Sequence, residues 1–185
     1  MTRADSIRVM RPLFQAEESG STPTSALDLF FSVVERDFAV DLNRLWHSRF
    51  PDFGGGGYRL CHAAEHGGLA YAVAIWTNPS SPKLPQQTWL MMKRWAVAPD
   101  APANTGSRMM GWMVRNIRRR LPEVTILVSY SDPDTHDGAI YKASGWEEGE
   151  TTTRTIGSKQ WHNRQRGKRS KNDSCERVTR WTMQL

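Results

Sequence analysis

The spacing of apolar residues changes period several times along this chain, and each change marks an element. Residues 27–35 (LDLFFSVVE) are apolar and rich in strand formers, which predicts a strand. Residues 37–48 place Phe38, Leu42, Leu45 and Trp46 at helical spacing, and Pro51 with the glycines of 54–57 ends that helix. Residues 58–64 and 69–76 read as a hairpin joined at His66-Gly67-Gly68, followed by a Pro/Ser loop over 78–87. A strand over 89–98 runs into a turn of small residues. Met109, Met113, Ile117 and Leu121 then recur every four positions, so one face of a long helix packs on a sheet. Residues 124–131 read as a buried strand, 135–144 as a short helix stopped at Gly145, and 146–156 and 176–184 as a last pair of strands. Residues 1–26 hold one candidate strand, near Ile7, and the turn-rich run EESGSTPTS. They read as an N-terminal extension to a single domain over residues 27–185.

Composition agrees with one globular domain. The chain has 185 residues, 38% of them hydrophobic and eight of them Trp, enough to build a core. No apolar run approaches the roughly 18 residues that span a bilayer. The opening MTRADSIRVMRPL lacks the apolar stretch of a secretory signal. Cys61 and Cys175 are the only cysteines and have no ligand-like spacing, so neither a disulfide framework nor a zinc knuckle is expected. A reducing, cytoplasmic setting follows as the expectation.

Charge adds a location. The formal net charge is +6, and residues 157–174 (GSKQWHNRQRGKRSKNDS) carry Lys159, Arg164, Arg166, Lys168, Arg169 and Lys171 against Asp173 alone. The stretch is polar, contains Trp161 and His162, and reads as a loop between the last two strands. Cations with an aromatic among them are a common way to hold phosphates and stack a base, which makes Lys159, Trp161, Arg164, Arg166, Lys168 and Arg169 the candidate nucleic-acid contacts. A solubilising loop would have the same composition.

The candidate chemistry lies between Lys93 and Trp146. Asn104-Thr105-Gly106-Ser107 opens the long helix, where free N–H groups and the helix dipole favour an anion and small residues let a phosphate come close. A capped surface helix with solvated Arg115, Arg118, Arg119 and Arg120 would read the same way. The next strand ends in Ser129-Tyr130-Ser131-Asp132, and the short helix after it carries Tyr141. A phosphate-bearing cofactor with a second reactant beside it is what such a block can hold.

The order of elements is similar to the GNAT acetyltransferase architecture. That resemblance implies an α/β (α+β) fold whose mixed central sheet, flanked by helices, splays between its fourth and fifth strands. It also implies a backbone cradle for the pyrophosphate of acetyl-CoA. The usual cradle is a Gln/Arg-x-x-Gly-x-Gly/Ala run, whereas this chain has Ala103-Asn104-Thr105-Gly106-Ser107-Arg108, which favours a divergent branch. The runs APANTGSRMMGWM, SYSD and GAIYKASGW, with Trp46-His47 upstream of Pro51 and the closing Thr179-Arg180-Trp181, resemble the Mom family of bacteriophage Mu. The resemblance covers residues 28–184.

Members of that family convert adenine in phage DNA to N6-carbamoylmethyladenine and so hide the DNA from host restriction. The resemblance therefore implies an acyl-CoA-dependent transferase in the host cytoplasm, with acetyl-CoA and iron as cofactors. Its second partner would be double-stranded DNA with a flipped adenine. By motif, the catalytic positions fall on Arg94, Asp132, Tyr141 and His47. The cofactor positions fall on Val97, Asn104, Thr105, Gly106, Ser107 and Arg108. His47, Asp132 and Tyr141 offer nitrogen and oxygen donors suited to iron, although their spacing alone reveals no metal. The adenine amine is a weak nucleophile, so Asp132 or His47 would take its proton, Tyr141 would protonate the departing thiolate, and Arg94 would hold developing negative charge. Each residue also has a plainer reading: Arg94 paired with a strand carboxylate, Asp132 capping the turn to Thr135, Tyr141 in the core, and His47 packed at a helix end. Two other functions fit the same chain. One is a GNAT enzyme acetylating an RNA-borne amine such as that of aminoacyl-tRNA; the other is a non-catalytic nucleic-acid-binding relative, against which the polar residues Arg94, Asp132 and Tyr141 argue.

Overall fold

The computed structural model of the protein describes residues 22–54, 57–153 and 177–185. Most of the expected N-terminal extension and the whole basic loop, with Lys159, Trp161, Arg164, Arg166, Lys168 and Arg169, lie outside the described residues.

The first predicted strand is shorter than its apolar run. The Ser25 hydroxyl accepts the Leu27 N–H and the Asp28 carboxylate accepts the Ser25 N–H, a reciprocal box that winds Ala26–Asp28 into a single 3-10 turn. Strand β1 is therefore Phe30–Val33. Helix α1, Arg36–Trp46, buries Ala39, Leu42 and Asn43. Strands β2 (Leu60–His66) and β3 (Leu69–Thr77) form the expected hairpin. Its two linking residues, Gly67 and Gly68, sit at φ 56° and 77°, the left-handed pair that a tight hairpin turn demands. Then follow β4 (Trp89–Val97), helix α2 (Thr105–Arg120), β5 (Ile126–Ser131), the short helix α3 (Ala139–Ala143), β6 (Glu147–Thr153) and β7 (Arg177–Gln184).

The helix predicted over 135–144 is reduced to α3. The Asp132 carbonyl accepts the N–H groups of Thr135 and His136, so the chain first makes a separate turn. Gly138 then takes φ 74° and starts the helix anew. A Cβ at Gly138 would lie 2.2 Å from Cζ2 of Trp181, so both the backbone angle and the space require glycine there.

The seven strands form one sheet in the order β1-β2-β3-β4-β5-β7-β6. All neighbours are antiparallel except β4 and β5, which run parallel from Trp89↔Ile126 to Met92↔Ser129. Beyond that last pair β4 continues with β3 to Val97 and β5 with β7 to Ser131, so the sheet parts between its fourth and fifth strands as expected. A bulge accompanies the parting: Trp76 opposes Met92 and Ile75 opposes Arg94, which leaves Lys93 as the extra residue in β4. Helix α2 covers one face with Met109, Met110, Met113 and Ile117, against Leu90, Leu127, Tyr141, Trp146 and Trp181. Helix α1 covers the other with Ala39 and Leu42, against Phe53, Val73 and Ile75. Cys61 is buried in this second layer, where burial pushes its thiol up to about 12, so it packs as a small apolar residue. Among the described residues no helix is long and apolar enough to cross a membrane.

Candidate active site

The parting of β4 and β5 gathers the residues singled out by sequence. Helix α1 ends at Trp46, and the segment from His47 to Asp52 turns across the sheet. Buried Asn43 pins that segment by donating from Nδ2 to the carbonyls of Phe50 and Pro51, each at 2.9 Å. Arg94 pins it from β4: one terminal nitrogen donates to the Asp52 carbonyl at 3.2 Å and the guanidinium lies 5.1 Å over the Phe50 ring. Arg49 pins it from the far side, pairing with Asp132 and donating to the Thr135 hydroxyl at 2.9 Å. His47, Arg94 and Asp132 thus share one neighbourhood, with Phe50 and Arg49 between them.

Each of these groups has a defined electrostatic state. Burial, reinforced by the charge of Arg94 and by His136, pushes His47 down to about 4, so it is neutral at neutral pH. The Phe50 N–H donates to its Nδ1 at 3.3 Å, which assigns the imidazole proton to Nε2. Arg94 lacks a carboxylate among the described residues. It donates to the carbonyls of Lys93 and Asp52, its Nε is buried without a partner, and burial lowers its pKa. The pairing with a strand carboxylate is therefore not what holds it. Asp132 does cap the turn: Oδ1 accepts the Asp134 N–H and Oδ2 accepts the Thr135 hydroxyl, each at 3.0 Å.

Tyr141 stands at the root of the parting. Its hydroxyl is 2.9 Å from Oγ of Ser129, the last β5 residue paired with β4. Its ring stacks on Trp181 at 4.9 Å and 10°, and meets the edge of Trp146 at 5.5 Å. Burial raises the Tyr141 pKa, and the Ser129 bond opposes part of that shift, so the phenol keeps its proton at neutral pH.

The start of α2 completes the arrangement. Asn104 caps it in the left-handed conformation, φ 65°. Thr105 and Ser107 turn their hydroxyls to the carbonyls of Pro102 and Asn104, and Arg108 lies 5.8 Å over Phe31. The N–H groups of Thr105 and Arg108 are bonded to Pro102 and Asn104, while those of Gly106 and Ser107 have no partner among the described residues. Val97 ends the stretch of β4 that has left β5, so from Arg94 to Val97 that edge has no strand paired with it among the described residues. Gly106 also has a packing role. A Cβ there would lie 2.4 Å from Cδ1 of Ile140, so its missing side chain makes room for α3.

The donor set expected for iron is not assembled. The Tyr141 hydroxyl is engaged with Ser129, both Asp132 oxygens accept bonds, and His47 Nδ1 accepts the Phe50 N–H. Among the described residues no three His, Cys, Asp or Glu side chains come together as a metal-holding group.

This geometry can be set beside known proteins. The family model of the Mom protein family matches residues 64–184, more than half of the chain. The chain belongs to the Mom protein family. No curated protein matches it. Among solved structures this Mom family member is similar to the ribosomal-protein-S18-alanine N-acetyltransferase from Escherichia coli, at 15% identity and TM-score 0.57 over 84% of this chain and 93% of that one. It is similar to a Bacillus subtilis acetyltransferase solved with CoA, at 13% identity and TM-score 0.58 over 85% and 99%. It is also similar to yncA, an acetyltransferase from Salmonella typhimurium solved with acetyl-CoA, at 10% identity and TM-score 0.59 over 85% and 94%. The fold of this Mom family member is that of the GNAT acetyltransferases.

Four residues of the site gave little signal in sequence. Asn43 acts on backbone carbonyls just past its own helix, and Arg49 through partners far along the chain. Ser129 and Ser131 were visible only as hydroxyls ending an apolar strand.

Proposed function

We propose that this protein uses acetyl-CoA to convert adenine in DNA to N6-carbamoylmethyladenine, which protects phage DNA from host restriction. The observation that carries the acyl-CoA half is the parting of β4 and β5 after Met92↔Ser129, with the protonated Tyr141 at its root and the free N–H groups of Gly106 and Ser107 at the start of α2. Membership of the Mom family supports the DNA half. Pyrophosphate oxygens would accept from the Gly106 and Ser107 N–H groups, and the pantetheine arm would lie along the edge from Arg94 to Val97. The thioester then reaches Tyr141.

Chemical balance sets further requirements. Attack by the adenine amine on the thioester carbonyl would give only an acetylated base. The carbamoylmethyl product needs a carbon–nitrogen bond at the acetyl methyl carbon, with an oxidant taking up the electron pair lost there. It also needs an ammonia donor that displaces CoA thiol at the carbonyl. In that displacement Tyr141 would give its proton to the departing sulfur. Arg94, with no carboxylate of its own, would balance negative charge on the carbonyl oxygen, and neutral His47 would donate from Nε2. Asp132 would take the proton of the adenine amine, with Arg49 and Thr135 holding it in place.

Incubating DNA with the protein, cell extract and acetyl-CoA labelled in both acetyl carbons tests this reading. Both labelled carbons should appear on adenine after digestion to nucleosides. Label found instead on aminoacyl-tRNA would replace the reading with acetylation of an RNA-borne amine.

A further inference from the structure

We propose that Ser129 is a positioning residue for Tyr141: its hydroxyl hydrogen decides whether the phenolic proton faces the cleft or is held back. The proposal rests on the thioester reading above and deepens it.

The β5 positions Leu127, Ser129 and Ser131 alternate onto the α2 face, and both serines are buried, at 2% and 8% exposure. Hydroxyls at such positions of an apolar layer need partners, and each has found the polar tip of an aromatic. Ser131 accepts the indole N–H of Trp181 at 2.8 Å, and Ser129 lies 2.9 Å from the Tyr141 hydroxyl. The first bond fixes Trp181. Tyr141 stacks on that ring and is met at its edge by Trp146, so its ring is held on two sides. What remains free is the direction of the phenolic O–H.

Ser129 has two acceptors in reach, the phenol oxygen at 2.9 Å and the Met92 carbonyl at 3.4 Å. One hydrogen serves one of them at a time. Given to Met92, it leaves Ser129 to accept the phenolic hydrogen, which then points into the protein. Given to the phenol oxygen, it frees the phenolic hydrogen to face the gap that opens beyond Met92↔Ser129. In the second state the nitrogen of the ammonia donor bonds to the thioester carbonyl carbon and the C–S bond breaks; the Tyr141 O–H bond breaks as an S–H bond forms on the departing CoA sulfur, and the negative charge passes from sulfur to the phenol oxygen. The Ser129 hydrogen is already bonded to that oxygen and stabilises it until solvent returns a proton.

The test is steady-state release of CoA from acetyl-CoA by the full chain in the presence of DNA and cell extract, which supply the other reactants, corrected for release without the protein and quantified by mass spectrometry, for wild type, Ser129→Ala, Ser129→Thr, Tyr141→Phe and the Ser129→Ala/Tyr141→Phe double variant. Near-ultraviolet circular dichroism of the Trp181–Tyr141 stack checks packing. Ser129→Ala should lower kcat by about tenfold to a hundredfold with KM for acetyl-CoA unchanged. Ser129→Thr, which keeps the hydroxyl on a strand-favouring side chain, should restore most of that loss. The double variant should be no slower than Tyr141→Phe. Wild-type kcat in Ser129→Ala, a folded but inactive Ser129→Thr, or additive losses in the double variant would each overturn the proposal. No turnover of acetyl-CoA by wild type would remove this proposal and the acyl-CoA reading together. Turnover without modified adenine would remove only the adenine reading.

Discussion

A guanidinium on a central strand ordinarily meets a carboxylate; Arg94 meets two backbone carbonyls and the ring of Phe50. Its residue type was legible as cleft chemistry, but two of its partners, Asp52 and Phe50, come from a segment more than forty positions away and were not. His62 shows the same limit within the core. It is fully buried, accepts the Trp76 indole N–H at 3.0 Å on Nδ1, and gives its Nε2 hydrogen to Asn116 at 3.1 Å. That network leaves no room for a second proton, and burial pushes His62 down to about 4 from 6.5. The folded pKa lies below the unfolded one. The stabilisation is therefore complete above about pH 6.5 and is lost as pH falls toward 4. The loss over that range should be on the order of 3 kcal/mol, with His47 adding to it in the same direction. Urea unfolding midpoints measured between pH 7 and pH 4 check this. Replacing His62 by Gln should flatten the profile, and a profile equally steep without the imidazole would assign the acid sensitivity elsewhere.

At the scale of elements, apolar periodicity located every strand and helix that the described residues contain, and missed where local hydrogen bonds overrule it. The Ser25–Asp28 box shortens the first strand, and the Asp132 turn with Gly138 shortens the last helix. Both devices are written in residue types, yet neither changes the hydropathy pattern. Gly106 has a packing role that the pattern does not show: its missing side chain accommodates Ile140 of α3. Gly106→Ala should therefore cost no more than about 1 kcal/mol, because the terminal methyl of Ile140 must swing aside, and Ile140→Ala in the same chain should relieve that cost. Thermal unfolding of the two single variants and the double variant measures it. Acetyl-CoA affinity, by calorimetry, should recover together with stability in the double variant. Recovery of stability without affinity would mean that the glycine serves the ligand directly.

For the molecule as a whole, the topology brings the inner ends of β6 and β7 close to the candidate chemistry. Strands β6 and β7 pair at Thr153↔Arg177, and residues 154–176 between them include the basic loop. Arg177 pairs with Asp134 at 2.9 Å, two residues from Asp132, so the start of β7 lies beside the candidate site. Neutralising Arg164, Arg166, Lys168 and Arg169 together should weaken DNA binding and leave acetyl-CoA affinity unchanged. The logarithmic salt slope should become shallower by about 0.9 for each phosphate that the variant no longer neutralises. Trp161→Ala should cost roughly 1–3 kcal/mol if the indole stacks on a base. Equal salt slopes would move the DNA surface to the exposed Arg115, Arg118 and Arg119 of α2. The most direct test of the account is nucleoside mass spectrometry of DNA from cells that produce the wild-type protein, Asp132→Ala, Tyr141→Phe or none. The account predicts N6-carbamoylmethyladenine with the wild type alone; unmodified DNA from the wild-type cells, or modification undiminished in both folded variants, would contradict it.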